Sequence, residues 1–113
     1  MNPKPSFHVL DVSISAVRML GPLVARIREH DRDLGEQLRR ALSSVVLNIS
    51  EGSGSHGGNR LARYRTAMGS NEESRAALRV AVAWGYVGAA DVVDAEAMLD
   101  RVTAMLYRLG ARR

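Results

Sequence analysis

The sequence contains no cysteine in its 113 residues. Disulfides and thiolate metal sites are therefore excluded. The three histidines, His8, His30 and His56, do not pair at ligand spacing, so no metal site is expected. Aromatic residues make up 4% of the chain, which leaves little surface for stacking on bases. No apolar run reaches about 18 residues, so no membrane span is expected. The first residues, MNPKPSFHVLDVS, lack the apolar stretch and small-residue cleavage site of a secretory leader. These absences point to a soluble, cytoplasmic protein, in which the sequon Asn48-Ile49-Ser50 is a coincidence.

Lysine is nearly absent as well, and arginine carries the basic charge. The net charge is +4. Residues 1–38 and 80–113 are each balanced. Residues 39–79 hold seven arginines against Glu51, Glu72 and Glu73. A basic segment of this kind is a footprint for nucleic acid or another polyanion, or else a solvated helix face.

Apolar residues recur at helical rather than strand spacing. One stripe runs through Leu10, Ile14, Val17, Leu20, Val24 and Ile27, interrupted by Gly21-Pro22, which should kink or split the helix. A second runs through Leu34, Leu38, Leu42, Val45 and Ile49, with Asp33 and Glu36 at capping-box spacing and Gly52 and Gly54 suited to a left-handed C-cap. A third, with Asn59 as cap, runs through Leu61, Tyr64, Met68, Asn71, Leu78, Val82 and Gly85. A fourth, with Asp91 as cap, runs through Val92, Ala95, Leu99, Val102, Leu106 and Leu109. Short connections make consecutive helices antiparallel. The expectation is all-α: one domain over residues 1–113, an antiparallel up-down four-helix bundle with helices at about 7–29, 33–52, 59–87 and 91–110.

Between Ala76 and Ala90 the only charged residue is Arg79. A helix that is apolar all round is buried all round. Ala76, Val80, Ala83, Trp84 and Val87 are therefore expected to contact a second copy of the chain.

Gly52, Gly54 and Gly57 spell G-x-G-x-x-G. A dinucleotide site needs a strand before the first glycine and a helix after the last. Here helical periodicity precedes it, and no lysine follows to make a phosphate-binding P-loop. No cofactor is expected, and the glycines are read as a chain reversal. Arg60, Arg63 and Arg65 open the next helix, with His56 in the loop. Arginine in a first turn opposes the helix dipole by about 0.3–1 kcal/mol per charge. Either these residues, with Arg39, hold phosphates, or they pair with acids of a neighbouring helix or subunit.

Arg40, Ser44, Asn48 and Glu51 form a polar ribbon on the second helix, and Gly69, Ser70 and Glu73 interrupt the third. They read either as a buried network, with Arg40 paired to Glu51 or Glu73 beside Asn48, Gly52, Gly69 and Ser70, or as two carboxylates of an active site. No nucleophile, metal-ligand set or cofactor motif accompanies Glu51 and Glu73, so no catalytic residue is assigned.

The stretches "QLRRALSSVVLNISEGSG" and "AMGSNEESRAAL", with Asn48-Ile49-x-Glu51-Gly52 and Gly69-Ser70-x-x-Glu73 as their core, resemble the bacterial four-helix-bundle family. Some of its members are encoded in intervening sequences of large-subunit ribosomal RNA genes. It is related to the accessory variability determinant of diversity-generating retroelements. Ser50, where the family usually has alanine, and Gly21-Pro22 depart from its pattern. The resemblance implies a ring-like homo-oligomer, often a pentamer, without known enzymatic activity. In the retroelement branch it implies a scaffold for a reverse transcriptase and nucleic acid. The functional expectation is a non-catalytic scaffold binding RNA or single-stranded DNA. A protein-interaction module without a nucleic-acid role is the alternative.

Overall fold

A computed structural model describes residues 5–111. Four helices follow one another: α1 (Pro5–His30), α2 (Arg32–Ser53), α3 (Gly57–Ala83) and α4 (Val93–Arg108), the last preceded by a 3-10 turn at Ala89–Val92. Each helix packs on its chain neighbours and α1 closes on α4, which gives an up-down bundle of 42 × 26 × 20 Å. The described residues include no strand.

Most of the stripe residues read from sequence form the core, but Ile14 and Val17 of the first stripe are 37% exposed and Gly85 of the third is exposed. Leu20, Leu23, Val24 and Ile27 of α1 meet Leu34, Leu38 and Leu42 of α2, Leu78 and Ala81 of α3, and Leu99 of α4 at one end. Val9, Val12, Val45, Ile49, Tyr64, Met68, Val102 and Leu106 fill the other end. Met98 packs against both groups. His8–His30 is long and apolar enough by composition to cross a membrane, contrary to expectation. Within it Leu20, Leu23, Val24 and Ile27 are buried in these core contacts, whereas Ile14, Val17 and Met19 are exposed.

Gly21-Pro22 does not split α1. Both residues are exposed, and nothing lies within 4 Å of where a Gly21 side chain would begin. The amide missing at Pro22 thus falls on the solvent face, and burial of Leu20, Leu23 and Val24 outweighs local propensity.

The helix ends differ from expectation for reasons of cap chemistry. One residue, Asp31, joins α1 to α2. Its backbone is extended (φ −150°, ψ 97°), and its carboxylate accepts from the Leu34 amide at 3.0 Å. It takes the capping role expected of Asp33. Gly54 ends α2 with φ −89°, so no left-handed cap forms there. Gly57, at φ 58°, makes the left-handed turn and starts α3 two residues before Asn59.

Helix α3 stops at Ala83 rather than continuing to 87. Gly85 turns left-handed at φ 78°, its amide bonds to the Val82 carbonyl, and the Tyr86 amide bonds to Ala81, both at 2.9 Å. This pair of bonds is a Schellman motif. Gly110 ends α4 in the same way, at φ 100°.

Asp91 caps the short turn rather than α4. Its carboxylate accepts from the Gly88 amide at 2.8 Å and from Arg26 at 3.2 Å. The Gly88 bond first, and Arg26 second, hold its pKa below the ordinary 3.8. A folded value below the unfolded one gives stability that is complete above the unfolded pKa and lost as pH falls through the folded value. A carboxyl titration by NMR will place the Asp91 midpoint below 3.8, and Arg26→Ala will return it only part of the way, because the Gly88 bond remains.

Candidate nucleic-acid interface

Helix periodicity sets Arg32, Glu36, Arg40, Ser44 and Asn48 four residues apart on one side of α2. Antiparallel α3 lies alongside and presents Ser70 and Glu73. Between them runs an open cleft of about 930 Å³, bordered at its end by Arg28 of α1. It continues into a hollow of about 440 Å³ lined by Arg39, Arg40, Ser44, Leu47, Asn48, Glu51 and Arg63. The two share Arg39, Arg40 and Ser44, so they form one polar groove along α2.

The groove floor is held by hydroxyls. Ser44 Oγ and Ser70 Oγ are 2.8 Å apart, and Asn48 donates to both the carbonyl and the Oγ of Ser44, at 2.9 and 3.1 Å. The Ser44–Ser70 bond joins α2 to α3, and the Asn48 bonds hold Ser44 from within α2. Moving one turn from the serine pair in opposite chain directions reaches Arg40 on α2 and Glu73 on α3.

The buried network expected around Arg40, Glu51 and Glu73 does not form. All three are exposed. Glu51 pairs with Arg63 at 3.0 Å, across the α2–α3 turn. Among the described residues, Arg40 and Glu73 have no ion-pair partner. The polar contacts come instead from Ser44, Asn48 and Ser70, which are half-buried.

Gly52 and Gly69 serve different purposes. Gly52 is buried where the Tyr64 ring crosses α2: a Cβ there would stand 2.5 Å from Tyr64 Cε1. Gly69 admits no close neighbour and faces solvent, with nothing within 4 Å of its Cβ position.

The expected phosphate-binding arginines divide into groups. Arg39 and Arg63 reach the groove, although Arg39 pairs with Glu36 at 3.4 Å, which also pairs with Arg28 at 3.2 Å. Such exposed pairs are worth about 0–1 kcal/mol, so an incoming phosphate can compete for them. Arg60 folds back and donates to the Ser55 carbonyl at 3.0 Å. Arg65 is exposed, but two residues past Arg63 it points to the other side of α3. His56 is exposed at the α3 N-cap and makes no capping side-chain bond. Arg75 and Arg79 are drawn to Asp100 and Glu96 of α4. Arg28 and Arg32 were not foreseen; they lie outside the basic segment of the sequence, and the fold brings them to the groove.

Of the residues expected to meet a second copy, Ala76, Val80, Ala83 and Trp84 are exposed, Val80 by 42% and Trp84 by 69%. Val87 is not available: it is 3% exposed, because the chain turns at Gly85 and returns it to the core.

The structure also gathers rings that the sequence separates. His30 stacks on Tyr86 with centroids 5.2 Å apart, and Tyr86 on Trp84 at 6.4 Å. The Tyr86 hydroxyl donates to Asp31 at 3.4 Å. Loss of water around the phenol, with the Asp31 carboxylate beside it, raises the Tyr86 pKa above 10.0. No spacing rule links residues 55 positions apart, so this contact was invisible in the sequence.

Fold and groove together define an all-α, up-down four-helix bundle with an arginine-lined polar cleft and no metal-ligand cluster among its described residues. The chain belongs to the 23S rRNA-intervening sequence protein family, whose model matches residues 10–108. A similar fold occurs in a protein of unknown function from the S23 ribosomal protein family of Bacteroides thetaiotaomicron, known from its crystal structure. The two share 16% identity over 94% of this chain and 97% of the other, with a TM-score of 0.83. No curated protein matches the chain. Neither the family description nor that structure names a reaction.

Proposed function

We propose that this protein is a non-catalytic, self-associating scaffold that binds the backbone of RNA or single-stranded DNA along α2. One observation carries the reading: Arg32, Arg39, Arg40 and Arg63 line a single continuous groove, and Arg32 and Arg40 have no acidic partner among the described residues. Guanidinium groups without internal partners bind phosphates and contribute affinity without reading sequence. Self-association uses the exposed residues Ala76, Val80, Ala83 and Trp84 towards the C-terminal end of α3.

Titrating labelled single-stranded RNA and DNA with protein across a salt series tests this. Binding tighter than about 10⁻⁶ M at low salt is expected. The log–log salt slope should fall by about 0.7 for each phosphate contact removed in Arg40→Ala or Arg63→Ala. Arg65→Ala, on the other side of α3, should change the slope least. Solution mass in the same buffer should exceed that of the monomer.

A second reading has its own observation. Leu47, 61% exposed, sits within the groove, as an apolar anchor for a protein partner would. If neither strand binds at low salt while the assembly is intact, the arginines meet acidic side chains and the protein is an interaction module.

A further inference from the structure

We infer that the cleft between α2 and α3 is a ribose-phosphate site, in which Glu73 recognises a sugar hydroxyl and Arg32, Arg40 and the serine pair hold the phosphate. The inference builds on the nucleic-acid reading and narrows its ligand to RNA.

The argument starts from mixed charge. Arg40 and Glu73 face each other across the cleft one turn from the Ser44–Ser70 bond, yet they do not close an ion pair. Arg32, at the same cleft, is also without an ion-pair partner among the described residues, as is Asp33, so the cleft carries unpaired charges of both signs, while its third carboxylate, Glu36, is taken by Arg28 and Arg39. A surface that bound phosphates alone would be weakened by an unpaired carboxylate beside its arginines, because like charges repel. A basic peptide would meet the arginines, and an acidic one would meet Glu73.

The ligand that fits both walls carries an anion and a neutral hydroxyl donor on one small frame. A ribose phosphate does so: its phosphate accepts from guanidinium, and its 2′-hydroxyl donates to a carboxylate. The floor adds a donor of its own. Two serine hydroxyls share one mutual bond, so one hydroxyl hydrogen remains for the ligand whichever serine donates. The cleft, at about 930 Å³, falls within the usual range for ligand sites.

Two sources present this chemistry, an RNA strand and a free ribonucleotide, and the test separates them. Affinities of the intact protein are measured for a single-stranded RNA, for DNA of the same base order, and for AMP and dAMP. The measurements are repeated on Glu73→Ala and Arg40→Ala. Glu73 is exposed and alanine favours helix, so Glu73→Ala keeps the fold, which circular dichroism verifies.

The expected result is RNA bound about tenfold tighter than DNA. That preference should vanish in Glu73→Ala while DNA affinity holds or rises. Arg40→Ala should weaken both strands alike. Equal binding of RNA and DNA, with Glu73→Ala changing both together, would overturn the ribose site and leave the backbone reading standing. If only the free nucleotide binds, with AMP preferred over dAMP through Glu73, the site is upheld with a nucleotide as its source and the nucleic-acid reading fails. If no probe binds, both fail.

Discussion

Gly52→Ala will destabilise the bundle by about 1–3 kcal/mol, the usual cost of forcing one extra group into a packed interior. The added Cβ would stand 2.5 Å from Cε1 and 2.7 Å from Cδ1 of Tyr64, and 3.3 Å from the Arg63 Cβ. Tyr64 is 1% exposed, so its ring cannot swing into solvent. Relief therefore requires α3 to move away from α2, which loosens the packing of Val45, Ile49 and Met68. Thermal unfolding reads the change directly, at about 4–8 °C per kcal/mol for a chain of this size. Gly69→Ala is the matched comparison. Nothing meets its Cβ, so it should gain the roughly 0.5–1 kcal/mol by which alanine exceeds glycine inside a helix. Opposite signs from the same substitution on two helices isolate the close approach at Gly52. Equal signs would mean that Tyr64 does not hold that position.

Asn71→Asp will make stability depend steeply on pH. Asn71 is fully buried, and its amide donates to the Leu99 carbonyl at 2.9 Å and to the Thr103 hydroxyl at 2.8 Å. Its Oδ1 is buried without a partner. Aspartate in that place loses the amide hydrogens, and its neutral acid can still donate once to the Leu99 carbonyl. The nearest arginine one turn on, Arg75, is already drawn to Asp100 at 3.5 Å, so desolvation dominates and raises the folded pKa above the unfolded value of about 3.9. A raised folded pKa means that the unfolded state releases its proton first. Stability is therefore retained below about pH 4 and falls by about 1.4 kcal/mol per unit as pH rises toward the folded pKa. An upward shift of about three units gives a loss of about 4 kcal/mol by pH 7. Urea unfolding of Asn71→Asp and Asn71→Leu at both ends of this range checks it. Only the aspartate variant should show the slope beyond that of the parent protein, and a flat response would place water or a cation beside residue 71.

The stripes of α2 and α4 could be read directly, because each keeps one apolar side from cap to cap. Leu34, Leu38, Leu42, Val45 and Ile49 are all in the core, as are Val92, Ala95, Leu99, Val102 and Leu106. The helix ends were harder. Capping depends on which backbone torsion a residue adopts, and Asp31 and Asp33, or Gly54 and Gly57, offer the same chemistry two or three positions apart. Gly85 illustrates the problem well. It lies on the apolar stripe of α3, so periodicity places it inside the helix, whereas its left-handed torsion ends the helix there.

The site was legible only as far as one helix reaches. The ribbon Arg40, Ser44, Asn48 follows from i, i+4 spacing. Its partner across the cleft depends on the α2–α3 register, which the packing of Tyr64 against Gly52 and of Met68 with Val45 and Ile49 sets and the Ser44–Ser70 bond accompanies. That register leaves Arg40 and Glu73 facing each other unpaired and sends Glu51 to Arg63 instead. No feature of the linear sequence distinguishes these two pairings.

An even number of antiparallel helices brings the chain back to the end where it began, and His8 of α1 lies 3.5 Å from Arg101 of α4. The glycine-rich α2–α3 turn shares that pole. The Asp31 turn, with its His30–Tyr86–Trp84 stack, occupies the opposite one. Any tether, tag or solid support attached before α1 or after α4 therefore anchors the molecule by one pole and leaves the aromatic pole, with its solitary tryptophan, facing outward.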